Sequence, residues 1–142
     1  MFLGQYEHSI DEKGRMTIPA RFREQVEGGA FITRGFGQNL IVLTSTHFAR
    51  VSDHVKQMSM SDPVAGDLRH LIFSNAFQVE FDKAGRILIP QFLREAIPLG
   101  SQVIVAGVGE YFEIWSKDNW SKQNTLLDDP DANAQRFAAL NV

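Results

Sequence analysis

The chain has 142 residues, 44% hydrophobic and 22% charged, with no cysteine and a formal net charge of −3 at pH 7. This composition excludes disordered and fibrous classes, and folding at this length hides roughly 68–70% of the unfolded chain's surface, so no stapling metal or disulfide is demanded. The lack of cysteine removes thiolate catalysis and cysteine-held zinc or iron–sulfur centres, and the acidic balance argues against a protein that coats nucleic acid through bulk charge.

No apolar run approaches the ~20 residues of a membrane helix, and Met1-Phe2-Leu3-Gly4 lacks the pattern of a signal peptide, so a cytoplasmic protein is expected. From the N-terminus, Tyr6, His8 and Ile10 alternate with polar neighbours, the period of a half-buried strand. Asp11-Glu12-Lys13-Gly14-Arg15 then reads as a hairpin tip. The Asp11 carboxylate can bond backbone groups two residues on, and Gly14 tolerates the positive φ that such a loop requires.

Met16-Thr17-Ile18 suits the returning strand. Pro19 opens a short helix at its first position, where the missing N–H is dispensable. Phe22 and Val26 lie four apart on the inner face of that helix, and Gly28-Gly29 end it. A second hairpin follows over residues 30–33 and 40–44, turning through Gly35-Phe36-Gly37. Phe48, Val51, Val55 and Met58 recur at helical spacing, and Asp62-Pro63 reads as the cap and first residue of a helix carrying Val64, Leu68, Leu71 and Ile72.

Residues 77–90 repeat residues 6–19 at an offset of 71. Phe77, Val79 and Phe81 alternate as a strand, Asp82-Lys83-Ala84-Gly85-Arg86 is a second tip, and Ile87-Leu88-Ile89-Pro90 closes it. Leu93, Arg94 and Ile97 take the places of Phe22, Arg23 and Val26, and Gly100 ends the helix. After a one-residue insertion Gly107-Val108-Gly109 takes that of Gly35-Phe36-Gly37, between strands over residues 102–106 and 111–115. Past Trp120, the breaker-rich Asp128-Asp129-Pro130-Asp131 carries most of the acidic excess, and residues 132–140 are expected to form a terminal helix or fray. The organisation is therefore a first repeat over residues 5–50, a helical connector over 51–75, a second repeat over 76–122 and a tail over 123–142.

A unit of about 45 residues lies near the size below which a core fails without help. The two repeats are expected to share one core, burying Ile10, Ile18, Phe22 and Phe31 with Phe81, Ile89, Leu93 and Val103 and leaving both tips free to project.

The two Asp-x-x-Gly-Arg tips, the Ile-Pro after each, the helical connector and the opening Met1-Phe2-Leu3-Gly4 together resemble the MraZ family of bacterial transcriptional regulators, built from two repeats similar to the AbrB and SpoVT DNA-binding domains. The resemblance covers nearly the whole chain and is weakest after residue 122. It implies an α+β, β-rich fold, a pseudo-two-fold swapped-hairpin barrel of the AbrB kind, and assembly into a ring-shaped homo-oligomer. It further implies nucleoid association and sequence-specific binding of double-stranded DNA at tandem promoter repeats, upstream of the chain's own gene in a division and cell-wall cluster, often with repression. Carried over by position, Asp11, Arg15, Asp82 and Arg86 are the signature residues, and the two arginines are the expected DNA-contacting groups.

Chemistry allows that role, because a guanidinium at a hairpin tip can take guanine O6 and N7 together or clamp a phosphate. The plainer alternative is an Asp11–Arg15 and Asp82–Arg86 salt bridge that tightens each turn, worth ~0–1 kcal/mol when exposed. The two are compatible, with each aspartate holding its arginine in pose and Gly14 and Gly85 shaping the loop. Lys13 and Lys83 suit phosphate contacts. Arg21 and Arg23 are secondary DNA-binding candidates, and for them, as for Arg94, a solvated or subunit-contacting helix face competes.

No catalytic set, cofactor or metal is expected. The Gly-x-Gly runs lack the rest of a nucleotide-binding fingerprint, and His8, His47, His54 and His70 lack the i, i+4 spacing of a zinc pair. Trp115 and Trp120 suit the core or a subunit interface. Specific DNA recognition needs ~4–10 kcal/mol over non-specific binding, against ~1–3 kcal/mol from one bidentate arginine, so the DNA reading requires tips repeated about one helical turn apart on an oligomer. The alternative is an adaptor ring that binds a protein partner, with DNA incidental; a small hydrolase or nucleotide-binding enzyme ranks third.

Overall fold

Strand β1 (Gln5–Ser9) leads through the first tip to β2 (Arg15–Thr17), α1 (Ala20–Val26) and the hairpin of β3 (Ala30–Arg34) and β4 (Asn39–Thr44) in the computed structural model, which describes residues 1–141. Helices α2 (Ser45–Lys56) and α3 (Pro63–Phe73) follow. The same order then recurs as β5 (Phe77–Gln78), β6 (Arg86–Leu88), α4 (Gln91–Ala96), β7 (Gln102–Gly107) and β8 (Tyr111–Ser116). The chain closes with α5 (Lys117–Thr125), α6 (Pro130–Phe137) and a 3₁₀ turn over Ala138–Leu140. No helix among the described residues is long and apolar enough to cross a membrane.

Local chemistry sets most boundaries. Pro19 and Pro90 stand at the cap position rather than inside their helices, with ψ of 135° and 140°, so α1 and α4 begin one residue later than their sequences suggest. Asp62 accepts from Val64 N at 2.9 Å and Pro63 opens α3, as its pattern predicts. Thr44 Oγ1 accepts from His47 N at 3.1 Å, so the connector helix starts at Ser45, directly off β4. Ser116 caps α5 in the matching way, accepting from Asn119 N at 3.1 Å. Asp129 caps α6, which begins at Pro130.

The fold is α+β around a strand-rich antiparallel sheet. Its six strands run in the order β1-β7-β8-β4-β3-β5, and β2 and β6 form a separate two-stranded ribbon. The first strand of each repeat pairs with the third strand of the other: β1 lies on β7 from Gln5↔Ala106 to Ser9↔Gln102, and β5 lies on β3 with Ile32↔Phe77. The two hairpins join where β4 meets β8, with Leu40↔Ile114 and Val42↔Phe112. Among the described residues these ladders form an open sheet plus a ribbon, without closing into a barrel.

One shared core lies between sheet and ribbon, and it contains Ile10, Ile18, Phe22, Ile89, Leu93 and Val103, with Phe81 at its edge. Phe22 is 1% exposed, with its ring 5.1–5.4 Å from those of Phe2, Tyr6 and Phe112. Phe31 departs from expectation: it is half-buried on the opposite face, stacked 4.3 Å from Phe48 of α2. Side chains alternate along a strand, so Ala30 and Ile32 take the inner positions of β3. On the outer side, buried Thr33 donates from Oγ1 to Ile72 O at 2.7 Å and ties α3 to the sheet.

Candidate nucleic-acid interface

Each tip is a closed hydrogen-bonded ring of five residues. Asp11 Oδ1 accepts from the backbone N–H groups of Lys13 and Arg15 at 3.0 and 2.9 Å, while Oδ2 takes Arg15 Nε at 2.7 Å. The backbone closes around it, with Asp11 N bonded to Arg15 O at 3.0 Å and Gly14 N to Asp11 O at 2.9 Å. The second tip repeats every bond: Asp82 Oδ1 accepts from Ala84 N and Arg86 N, both at 2.9 Å, and Oδ2 from Arg86 Nε at 2.8 Å. Gly14 and Gly85 have φ of +86° and +76°, the region that favours glycine.

These bonds hold both carboxyls below the usual carboxylate range. The backbone N–H of Arg15 is the main cause at Asp11, and that of Arg86 at Asp82; partial desolvation opposes it, and the guanidinium bonds reinforce it. Each arginine is thereby fixed through Nε. Among the described residues no hydrogen bond reaches the Nη atoms of Arg15 or Arg86, though Arg86 Nη1 lies 3.8 Å from Asp11 Oδ2. Arg15 therefore keeps both Nη groups as open donors, and Arg86 keeps Nη2 open while its Nη1 stays within ion-pair reach of Asp11.

Rather than projecting separately, the two tips are merged by the ribbon. β2 pairs with β6 through Arg15↔Leu88, Met16↔Ile87 and Thr17↔Arg86. Met16 and Ile87, each 1% exposed, face the core, so Arg15, Thr17, Arg86 and Leu88 share the outer face. Thr17 and Leu88 carry no motif and are missed by motif reading; their i, i+2 spacing from the arginines is the signal that could find them. A depression of ≈ 400 Å³ beside this face is lined by Glu7, His8, Ser9, Asp11, Arg15 and Arg86, among others.

Lys13 and Lys83 are exposed on the tips, and Arg21 is exposed on α1. Arg23 is placed differently. It is half-buried, and its Nη2 donates to Ile18 O at 3.3 Å beneath the second tip. Formal charges balance over residues 11–15 and sum to +1 over residues 82–86, so neither tip is a strong electrostatic patch. Trp115 is buried and donates from Nε1 to Glu113 Oε1 at 2.9 Å; Trp120 is half-buried on α5 with its ring 6.0 Å away.

A family model described as "MraZ protein, putative antitoxin-like" matches residues 1–70 and 72–139, one repeat in each segment, with the boundary inside α3. The protein named "Transcriptional regulator MraZ" in Thermomicrobium roseum is 44% identical over 142 residues, covering 99% of each chain. Its namesake in Roseiflexus castenholzii is 44% identical over 138 residues, 97% of this chain and 94% of that one. In Dictyoglomus thermophilum the protein of the same name is 41% identical over 143 residues, covering 99% and 98%.

Proposed function

The chain belongs to the MraZ family, one of transcriptional regulators rather than enzymes, and from that premise we propose that it binds double-stranded DNA sequence-specifically through the outer face of the β2–β6 ribbon. One observation carries this reading: two arginines on one face of a two-stranded antiparallel ribbon, each held through Nε by its own aspartate, carry Nη groups that make no hydrogen bond among the described residues. The major groove, about 12 Å wide, admits such a ribbon, and a free donor pair matches guanine O6 and N7. Preorganisation is supplied in advance, because the aspartates limit the rotamers that binding would otherwise have to freeze.

The ladder also sets a length. Arg15 and Arg86 are diagonal neighbours, so their Cα atoms stand about 7–8 Å apart, close to two base-pair rises of about 3.4 Å. A protomer therefore addresses one short stretch of groove with both tips, and the ~34–36 Å step between tandem sites falls to neighbouring subunits of a homo-oligomeric ring. Two bidentate contacts at ~1–3 kcal/mol each reach only the lower part of the ~4–10 kcal/mol that specificity requires. Repetition around the ring makes up the difference through effective concentration.

Lys13 and Lys83 flank the ribbon as phosphate contacts, Arg21 is a peripheral one, and the Thr17 methyl and Leu88 reach thymine methyls. Arg23, turned under a tip, supports rather than touches. The exchange of first strands between repeats 5–50 and 76–122, bridged by residues 51–75 and followed by the tail 123–142, supports the swapped-hairpin, AbrB-like reading. The targets are tandem repeats upstream of the chain's own gene in a division and cell-wall cluster, with repression as the outcome and the nucleoid as the location.

A footprint on that upstream DNA tests the reading. Wild-type protein should protect a periodic set of sites, and Arg15→Ala with Arg86→Ala should abolish the protection while circular dichroism and oligomeric state stay unchanged. An unaltered footprint from the folded double variant defeats it. No shift of promoter DNA at any salt, together with capture of a protein partner that ignores both substitutions, supports the adaptor alternative instead.

A further inference from the structure

Each tip rests on an arginine that belongs to the other repeat. Arg94 of α4 lies against Gly14: a Cβ built on that glycine would come within 2.5 Å of Arg94 Nε and 2.7 Å of Cζ. Arg94 Nε donates to Ile89 O at 3.0 Å, and Ile89 N donates to Gly14 O at 2.8 Å. The backbone of Ile89 thus bonds the first tip on one side and the guanidinium beneath it on the other. The mirror contact places Arg23 of α1 under Gly85, where a Cβ would come within 2.9 Å of Arg23 Cζ and Nη1, with Nη2 bonded to Ile18 O.

Both arginines are half-buried, bonded to the carbonyl just past the returning strand of their own repeat, and packed close against the loop glycine of the other. A glycine at each loop position permits this approach; any side chain there would displace the guanidinium. Among the described residues the buried Arg23 Nε has no hydrogen-bond partner and the second tip has no counterpart of the Ile89–Gly14 bond, so the second brace is the weaker.

Resting on the ribbon reading above, we infer that Arg94 and Arg23 are positioning residues that brace the DNA-contacting loops crosswise, Arg94 setting Arg15 and Arg23 setting Arg86. The planar guanidinium is essential, since it supplies a flat surface and a fixed donor geometry that an ammonium lacks. The bracing makes the two tips one mechanical unit and fixes the spacing of the arginine pair.

Hydrogen exchange measured without DNA tests the bracing itself. Arg94→Gln should speed exchange at the Lys13 and Arg15 amides by about tenfold, the order expected for losing a charged hydrogen-bonding partner, and leave Ala84 and Arg86 unchanged. Arg23→Gln should do the reverse, and Lys at either position should rescue neither. Amides of β7 and β8 serve as the folding control, and the Lys variants replace Gln should that control fail. Faster exchange at the tip of the same repeat, equal change at both tips, or full rescue by Lys overturns the proposal.

Affinity for promoter duplex against a scrambled duplex is the second readout. Arg94→Gln should weaken promoter binding about tenfold while sparing the scrambled duplex, with no further effect on an Arg15→Ala background and full effect on Arg86→Ala. Equal losses on both duplexes make Arg94 a direct phosphate contact and defeat the positioning role. A wild-type protein that does not distinguish the duplexes defeats the ribbon reading, while the exchange pattern still decides the bracing.

Discussion

Replacing the two loop glycines by alanine separates backbone strain from crowding, because the tips share a conformation but differ in what lies beneath them. At φ of +86° and +76°, an L-residue at position 14 or 85 meets the left-handed penalty of about 1–2 kcal/mol. For a methyl on residue 85 the three nearest atoms all belong to the end of the Arg23 side chain, which is held by one 3.3 Å bond and can give way. A methyl on residue 14 meets Ile89 O at 2.8 Å as well as Arg94, and that carbonyl cannot retreat without straining the Ile89 N to Gly14 O bond. Overpacking of this kind adds about 1–3 kcal/mol, so Gly14→Ala should cost about 2–5 kcal/mol in all against about 1–2 kcal/mol for Gly85→Ala.

For a chain of this size each kcal/mol moves Tm by about 2–4 °C, which separates the two variants in calorimetry. Urea denaturation followed by Trp115 and Trp120 fluorescence gives the same order independently, with every sample at one protein concentration so that any self-association contributes equally. A Gly85→Ala variant as unstable as Gly14→Ala, or two variants indistinguishable from wild type, refutes the argument.

Asp11 and Asp82, held below the usual carboxylate range by backbone N–H groups and their arginines, should contribute stability that is present above about pH 4 and lost as pH falls through their depressed native values. Carboxyl-carbon NMR should show Arg15→Ala raising Asp11 part of the way back while Asp82 stays put; no movement removes the guanidinium from the account. Phe22→Ala, emptying a site enclosed by three rings, should cost about 3–5 kcal/mol, and Phe31→Ala, half-buried on the other face, distinctly less; denaturation in the opposite order contradicts the placement of β3. Thr33→Val strands the buried Ile72 carbonyl and should cost about 1–3 kcal/mol, with faster amide exchange in α3 as its mark.

The tips were legible in the linear chain because their chemistry closes within five residues. The hydrogen bonds of the Asp11 and Asp82 side chains reach no further than i+4, glycine permits the positive φ, and proline sets the entry to each short helix, so residue identity dictates the shape of each tip, while the Asp11–Arg86 ion pair between tips does not follow from it. Asp62-Pro63 marks the start of α3 for the same reason. Helix α5 carries no such signal in the sequence, because it buries no residue and has no apolar stripe. The facing of Phe31 is not legible in the same way, because it depends on which neighbours β3 acquires, and alternation along a strand says nothing of which side is inward.

Only the tertiary structure decided that β1 pairs with β7 and β5 with β3, that Arg15 and Arg86 share one ribbon face, and that Arg23 and Arg94 lie beneath the opposite loops. Two copies of a repeat hold the same strand-forming residues, so pairing within a copy and pairing between copies look alike in the sequence. The choice falls to burial: half of this chain is too small to cover its own apolar face, and exchanging strands lets each half close the core of the other.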